Sequence, residues 1–188
     1  MTAIEPMTAQ NIGSLGLIDR RQFISEIAVV SIASQGFRLQ YRSAGKAYWR
    51  DDPVDDQVTE SFILSPDHAG FFAFVDGKPA GQVVVGKHWN GYAFVHELAV
   101  DARHRRLGIG RALLSAAQDW AMRTGQYGLM LETQDVNATA CQFYEKCGFV
   151  LGGVDNMLYS AFSDQQQRPA ALRETALFFY RVNSRRSV

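Results

Sequence analysis

Cysteine is scarce in this chain, with only Cys141 and Cys147 among 188 residues. They form no Cys-x-x-Cys pair and no Cys/His cluster, which argues against a zinc site, and no metal is expected. Two ordinary reduced thiols suit a cytoplasmic protein. Long apolar runs are also lacking. Nothing approaches the ~18–20 residues of a membrane span, and the polar stretch from Met1 to Arg21 has no secretory apolar core, so no membrane association is expected. Charge of one sign is lacking too: 19 basic side chains balance 19 acidic ones. The basic excess typical of nucleic-acid binders is absent, so no nucleic-acid partner is expected. Internal repeats and low-complexity segments are missing. What remains is 47% hydrophobic residues, enough for one globular domain over residues 1–188. A chain of this size buries about 70% of its unfolded surface and needs no staple.

The clearest elements lie in the middle. Phe71 to Val75, the turn Asp76-Gly77 and Ala80 to Trp89 form a hairpin, since Asp-Gly supplies the positive φ angles of a tight turn. Asn90-Gly91 repeats that signal before a third strand, Tyr92 to Val100. After a turn over Asp101 to Arg106 the apolar period becomes helical. Ile109, Leu113, Ala116, Ala117 and Trp120 share one face of a helix that Gly125 ends. A strand from Tyr127 to Thr133 follows, then a short helix from an Asn137 cap to Lys146, stopped by Gly148. Phe149 to Val154, Met157 to Phe162 and Ala176 to Val182 are expected strands. Before the hairpin, Ile18 to Ile32 is expected to be weakly helical and Phe37 to Arg42 a strand. Ser43 to Ser65 reads as a polar, acidic loop with at most one helical turn. Antiparallel strands followed by alternating strands and helices make an α+β fold with a mixed sheet.

The run His104-Arg105-Arg106-Leu107-Gly108-Ile109-Gly110-Arg111 carries the strongest chemical signal. Two glycines one residue apart let the backbone approach a ligand, and the first N–H groups of the following helix attract anions. Arg103, Arg105, Arg106 and Arg111 add positive charge, and a diphosphate suits the arrangement best. The alternative is a glycine-punctuated turn with a solvated basic face. A Walker loop fails because Arg111-Ala112 follows Gly110 where Lys-Ser/Thr would be needed. A dinucleotide fingerprint fails in part, since Leu113 stands where its third glycine belongs.

Arg105-x-x-Gly108-x-Gly110 after a strand, followed by Asn137 and Phe143-Tyr144-x-x-x-Gly148-Phe149, resembles the GNAT superfamily of N-acetyltransferases over about residues 70–154. Within it, Leu131-Glu132-Thr133-Gln134-Asp135 and Ala140-Cys141-x-Phe-Tyr-x-Lys-Cys147-Gly148-Phe149 most closely resemble the streptothricin acetyltransferases. Trp89-Asn90, Gly153-Val154-Asp155 and Glu174-Thr175-Ala176 fit the same family. The resemblance implies a mixed, mostly antiparallel sheet flanked by helices, with two central strands splayed apart. It implies acetyl-CoA as co-substrate and direct transfer to a primary amine, with no acyl-enzyme and no nucleophilic cysteine. The diphosphate would lie on the backbone N–H groups of Arg105, Arg106, Leu107, Gly108, Ile109, Gly110 and Arg111. The pantetheine arm would lie along Leu98, Ala99 and Val100, one of whose N–H groups would polarise the thioester carbonyl. Asn137 would touch the cofactor as well as cap its helix.

Two residues are candidate catalysts. Glu97 shares a strand face with Ala93, Val95 and Ala99, and a carboxylate there is costly unless paired or used. An alkylammonium with a pKa near ~10.4 must lose a proton before it attacks, and Glu97 is the candidate base, directly or through water. Its alternative is a partnered structural carboxylate. Tyr144 stands where the resemblance puts the proton donor to the departing thiolate, and its alternative is a core aromatic. Glu132 would position substrate. The acidic Asp51, Asp52, Asp55 and Asp56 would draw a small cationic amine, with Trp89 and Asp155 lining the same site by resemblance. His96 reads as packed, His104 as an exposed loop residue, and Phe178-Phe179-Tyr180 as a packed strand. The expected substrate is streptothricin. Another small amine, a protein N-terminus or a non-catalytic acyl-CoA-binding role remains open. A homodimer is compatible with the sequence, which does not specify an oligomeric state.

Overall fold

The computed structural model describes residues 2–34, 36–52, 58–162 and 173–183. They fall into two compact units. The first comprises residues 1–22, 51–130 and 182–188, and the second residues 23–50 and 131–181.

The first unit is built on an antiparallel meander. Strands β4 (His68–Val75), β5 (Lys78–Lys87) and β6 (Ala93–Val100) pair in sequence order. Asp76 and Gly77 take φ values of 49° and 76° in the first turn, as that dipeptide predicts. A strand absent from the sequence expectation, β1 (Thr2–Pro6), adds to the outer side of β4, antiparallel. The strand order is β1-β4-β5-β6, with β7 (Gly128–Gln134) next to β6. β7 crosses from this unit into the second after Met130. A one-turn helix, α1 (Glu60–Ile63), is capped by Thr59, whose hydroxyl accepts from the Phe62 N–H.

Helix α2 (Ile109–Arg123) covers the meander with Ile109, Leu113, Leu114, Ala117, Trp120 and Ala121. Its first turn presses on β5 at Gly81. A Cβ there would come within 3.0 Å of the Ala99 carbonyl oxygen, Ile109 and Leu113. The missing side chain therefore fixes where α2 begins relative to the end of β6.

The second unit contains the rest of β7, with β9 (Ala176–Val182) and β8 (Val150–Asp155) in the order β7-β9-β8. β8 and β9 are antiparallel. Helix α3 (Ala138–Lys146) starts at Asn137, whose Oδ1 accepts from the Ala140 N–H at 3.1 Å. Gly125 and Gly148 follow α2 and α3 at φ 76° and 82°, in the stop positions expected of them.

Three expectations need correction. Gln22–Ala33 is not helical but a strand, β2, forming a two-stranded sheet with β3 (Gly36–Arg50). The β-branched residues Ile24, Ile27, Val29, Val30 and Ile32 favour an extended chain, and a pairing partner decides the matter. The acidic loop is correspondingly shorter, since β3 continues through Ser43 to Arg50. Met157 to Phe162 is turn rather than strand. The Asp155 carboxylate accepts from the Met157 and Leu158 N–H groups at 2.7 and 3.1 Å, and Ser160 and Phe162 close further turns.

Candidate active site

β6 places the candidate base. Ala93, Val95, Glu97 and Ala99 are buried, in the alternation read from the sequence. Val84 opposes Glu97 and Val85 opposes Val95, so His96 is an extra residue bulged from the ladder. The Glu97 side chain is 2% exposed and forms an ion pair with the Arg20 guanidinium. Its Oε1 also accepts from Gln82 Nε2 at 2.6 Å. Gln82, fully buried on β5, in turn accepts the Gly16 N–H at 3.3 Å. Burial pushes the Glu97 carboxyl above its ordinary range, while the Arg20 charge and the bond from Gln82 pull it back. The partnered and the catalytic reading are thus both physically available to this group.

The loop after β6 is tied down from within. Asp101 is fully buried and accepts from the Asp19 N–H, the Arg103 N–H and the Arg103 guanidinium at 3.0–3.1 Å. The Arg103 bonds hold its carboxyl well below the usual range. His104, read from sequence as an exposed residue, is half-buried, with Nδ1 3.4 Å from Asp101 Oδ1. Arg105 donates to the carbonyls of Val100, Arg20 and Arg21 at 3.2, 3.3 and 2.6 Å. Arg103 and Arg105 therefore direct guanidinium donors to the Asp101 carboxylate and to backbone carbonyls, while the Arg103 side chain remains 78% exposed.

The backbone of the loop does suit an anion. Arg106 and Gly108 have φ values of 62° and 83°, and no side chain caps α2 at Gly108. The leading N–H groups of Ile109, Gly110 and Arg111 have no acceptor within the helix. These features fit a diphosphate lying across residues 105–111, as acetyl-CoA requires.

Four further candidates belong to the second unit. Tyr144 is 8% exposed and packs against Phe143, Phe149 and Phe179, with ring centroids 5.5–5.8 Å apart. Glu132 accepts the Tyr159 hydroxyl. Burial pushes the Glu132 carboxyl upward, the Tyr159 bond opposes that, and Glu174 adds to it. Glu174 is itself paired with Arg50 at 3.2 Å. Asn137 caps α3, and Asp155 is committed to its turn.

Trp89 in the first unit is 90% exposed, with its ring beside His88. Asp51 is exposed, whereas Asp52 lies 3.6 Å from Arg20 and accepts from Gln22 at 3.1 Å. Asp55 and Asp56 lie outside the described residues. His96 is packed between Phe62, His68 and Phe94, and Phe179 is fully buried on β9. Burial pushes the Cys141 thiol up to about 12, against any nucleophilic role. Among the described residues no cluster could hold a metal, and no helix is long and apolar enough to cross a membrane.

Sequence reasoning missed Arg20, Gln82 and Tyr159. Gln82 left a signal, a lone amide within the apolar run Ala80-Gly-Gln-Val-Val-Val. Arg20 left none, because its partner is 77 positions away.

A mixed, mostly antiparallel sheet with a helix start suited to an anion after a central strand defines a class. Residues 32–149 match the Acetyltransferase (GNAT) family, and the chain belongs to it: the protein is an acetyltransferase that uses acetyl-CoA. It is 40% identical to streptothricin acetyltransferase A of Bacillus subtilis (strain 168) over 126 residues, 67% of this chain and 69% of that one. It is 33% identical to a streptothricin acetyltransferase of Escherichia coli over 157 residues, 84% of this chain and 83% of that one. A Bacillus anthracis str. Ames protein crystallised in complex with acetyl coenzyme A superposes with a TM-score of 0.87 at 27% identity. The match covers 97% of this chain and all of that one.

Proposed function

We propose that this enzyme acetylates a primary amine of streptothricin, on its β-lysine moiety, and so inactivates the antibiotic in the cytoplasm of a resistant cell. The observation that carries the reading is the carboxylate of Glu97. It is buried on β6, three residues before the loop that leads to the anion-binding start of α2. Similarity to streptothricin acetyltransferases over most of the chain supports the choice of substrate.

Acetyl-CoA supplies the acetyl group as a thioester, an acyl donor already activated toward an amine. The N–H groups of residues 105–111 hold its diphosphate, and the backbone of Leu98, Ala99 and Val100 holds the arm and polarises the carbonyl. Glu97 takes the proton from the substrate ammonium, directly or through one water, so that a neutral amine attacks. Tyr144 returns a proton to the departing thiolate, and Asn137 contacts the cofactor while capping α3. Asp51, Asp52, Asp55, Asp56, Glu132 and Asp155 supply negative charge to a polycationic substrate, with Trp89 as an apolar wall.

Release of CoA thiol, followed at saturating acetyl-CoA with an amine panel, tests the assignment. We expect kcat/KM for streptothricin to exceed that for lysine, a polyamine or an aminoglycoside by at least about a hundredfold. A control amine that matches streptothricin would overturn the substrate, and binding of acetyl-CoA without turnover of any amine would overturn the catalytic reading.

A further inference from the structure

Arg20 is the cation that the candidate base already holds. Its side chain is 11% exposed, and the guanidinium reaches Glu97 through one terminal nitrogen and Asp52, at 3.6 Å, through the other. The segment that carries it is stapled to the loop after β6. Asp101 accepts the Asp19 N–H, the Ala102 N–H donates to the Asp19 carbonyl, and Arg105 binds the Arg20 and Arg21 carbonyls. The backbone of Arg20 is thereby fixed, while its side chain spans to the two carboxylates. The Nε atom is buried and has no hydrogen-bond partner among the described residues, so the pose carries a desolvation cost. A buried carboxylate needs a counter-cation to stay ionised. A substrate ammonium offers that same charge to those same two carboxylates.

We propose that Arg20 is a built-in stand-in for the substrate's ammonium group, occupying the cation position between Glu97 and Asp52 until a cationic amine displaces it. The inference rests on the assignment of Glu97 as base and adds a positioning residue to it. Without substrate, Arg20 keeps Glu97 ionised in its buried place. On binding, the ammonium takes over the carboxylates and the guanidinium swings off, so the cation that Glu97 then faces is one that can give up its proton. Among the described residues, the charged groups facing Glu97 are Arg20, from the segment before β2, and Asp52, from the segment after β3. Gln82 on β5 faces it as a neutral donor.

Arg20→Met keeps most of the stem and removes the charge, and Arg20→Lys keeps a charge. Three readouts apply: melting temperature, the Glu97 titration followed by carboxyl 13C NMR without any substrate, and the amine KM across pH at saturating acetyl-CoA. We expect Arg20→Met to move the Glu97 titration and the acid limb of kcat/KM upward in pH together. On the alkaline plateau, where Glu97 is ionised in both proteins, the amine KM should fall about three- to tenfold, because no resident cation competes. Arg20→Lys should remain near wild type in all three.

A lower melting temperature with an unmoved titration, limb and plateau KM would overturn the proposal and leave a structural ion pair. A plateau KM that rises in Arg20→Met would also overturn it, since Arg20 would then assist binding rather than compete. The base assignment fails separately: if Glu97→Gln retains wild-type turnover, Glu97 is not the base, whatever the Arg20 variants show.

Discussion

The proposed mechanism concentrates the proton chemistry of the site in one side chain, Glu97. Its burial favours the neutral acid, whereas the proposed role as base needs the carboxylate, so we expect the acid limb of kcat/KM above the ordinary carboxylate range. Below that limb Glu97 is protonated and cannot accept a proton; above it activity is retained. Glu97→Gln keeps the shape but removes proton acceptance, and we expect turnover to drop about 10²–10⁴-fold near neutrality. Part of the loss should return as pH rises and free amine becomes abundant, while acetyl-CoA affinity holds. A flat pH dependence at wild-type turnover would remove Glu97 from the mechanism. At this scale the sequence is half legible. The carboxylate is conspicuous among Ala93, Val95 and Ala99 because alternation exposes a misplaced charge. Of its partners, Gln82 shows only as a lone amide in an apolar run, and Arg20, 77 positions away, does not show at all.

Elements bounded by local turn chemistry are the ones the sequence specifies best. The β4–β5 hairpin, the caps of α3 and the glycine stops of α2 and α3 depend on residues within a turn of each other. β1 and β2 depend instead on partners, β4 being more than sixty positions beyond β1, and periodicity alone misassigns or misses them. The start of α2 belongs to both kinds, with Gly108 and Gly110 visible in sequence and the packing of Gly81 against Ile109 visible only in the fold. Acetyl-CoA, binding the folded state alone, should raise the melting temperature of the wild type. In Gly110→Asp we expect that shift to vanish, because a carboxylate would face the diphosphate at the helix start. A preserved shift would place the cofactor elsewhere.

For the molecule as a whole, zero net charge conceals a local field. Asp51, Asp52, Asp55, Asp56 and Glu60 fall within ten positions of the sequence, and of these Asp52 lies 3.6 Å from Arg20. Replacing the four aspartates by asparagine should raise the KM for a polycationic amine and weaken the salt dependence of kcat/KM. The KM for acetyl-CoA should not move. Unchanged amine KM and salt dependence would reduce the segment to solvated surface. Amine acetylation of streptothricin from acetyl-CoA is the proposed reaction, and its product reports on it directly. Purified protein, acetyl-CoA and streptothricin should give one N-acetylated streptothricin per CoA released, with mass spectrometry and NMR placing the acetyl group on a β-lysine amine. An O-acetylated product, or CoA release with streptothricin recovered unmodified, would contradict it.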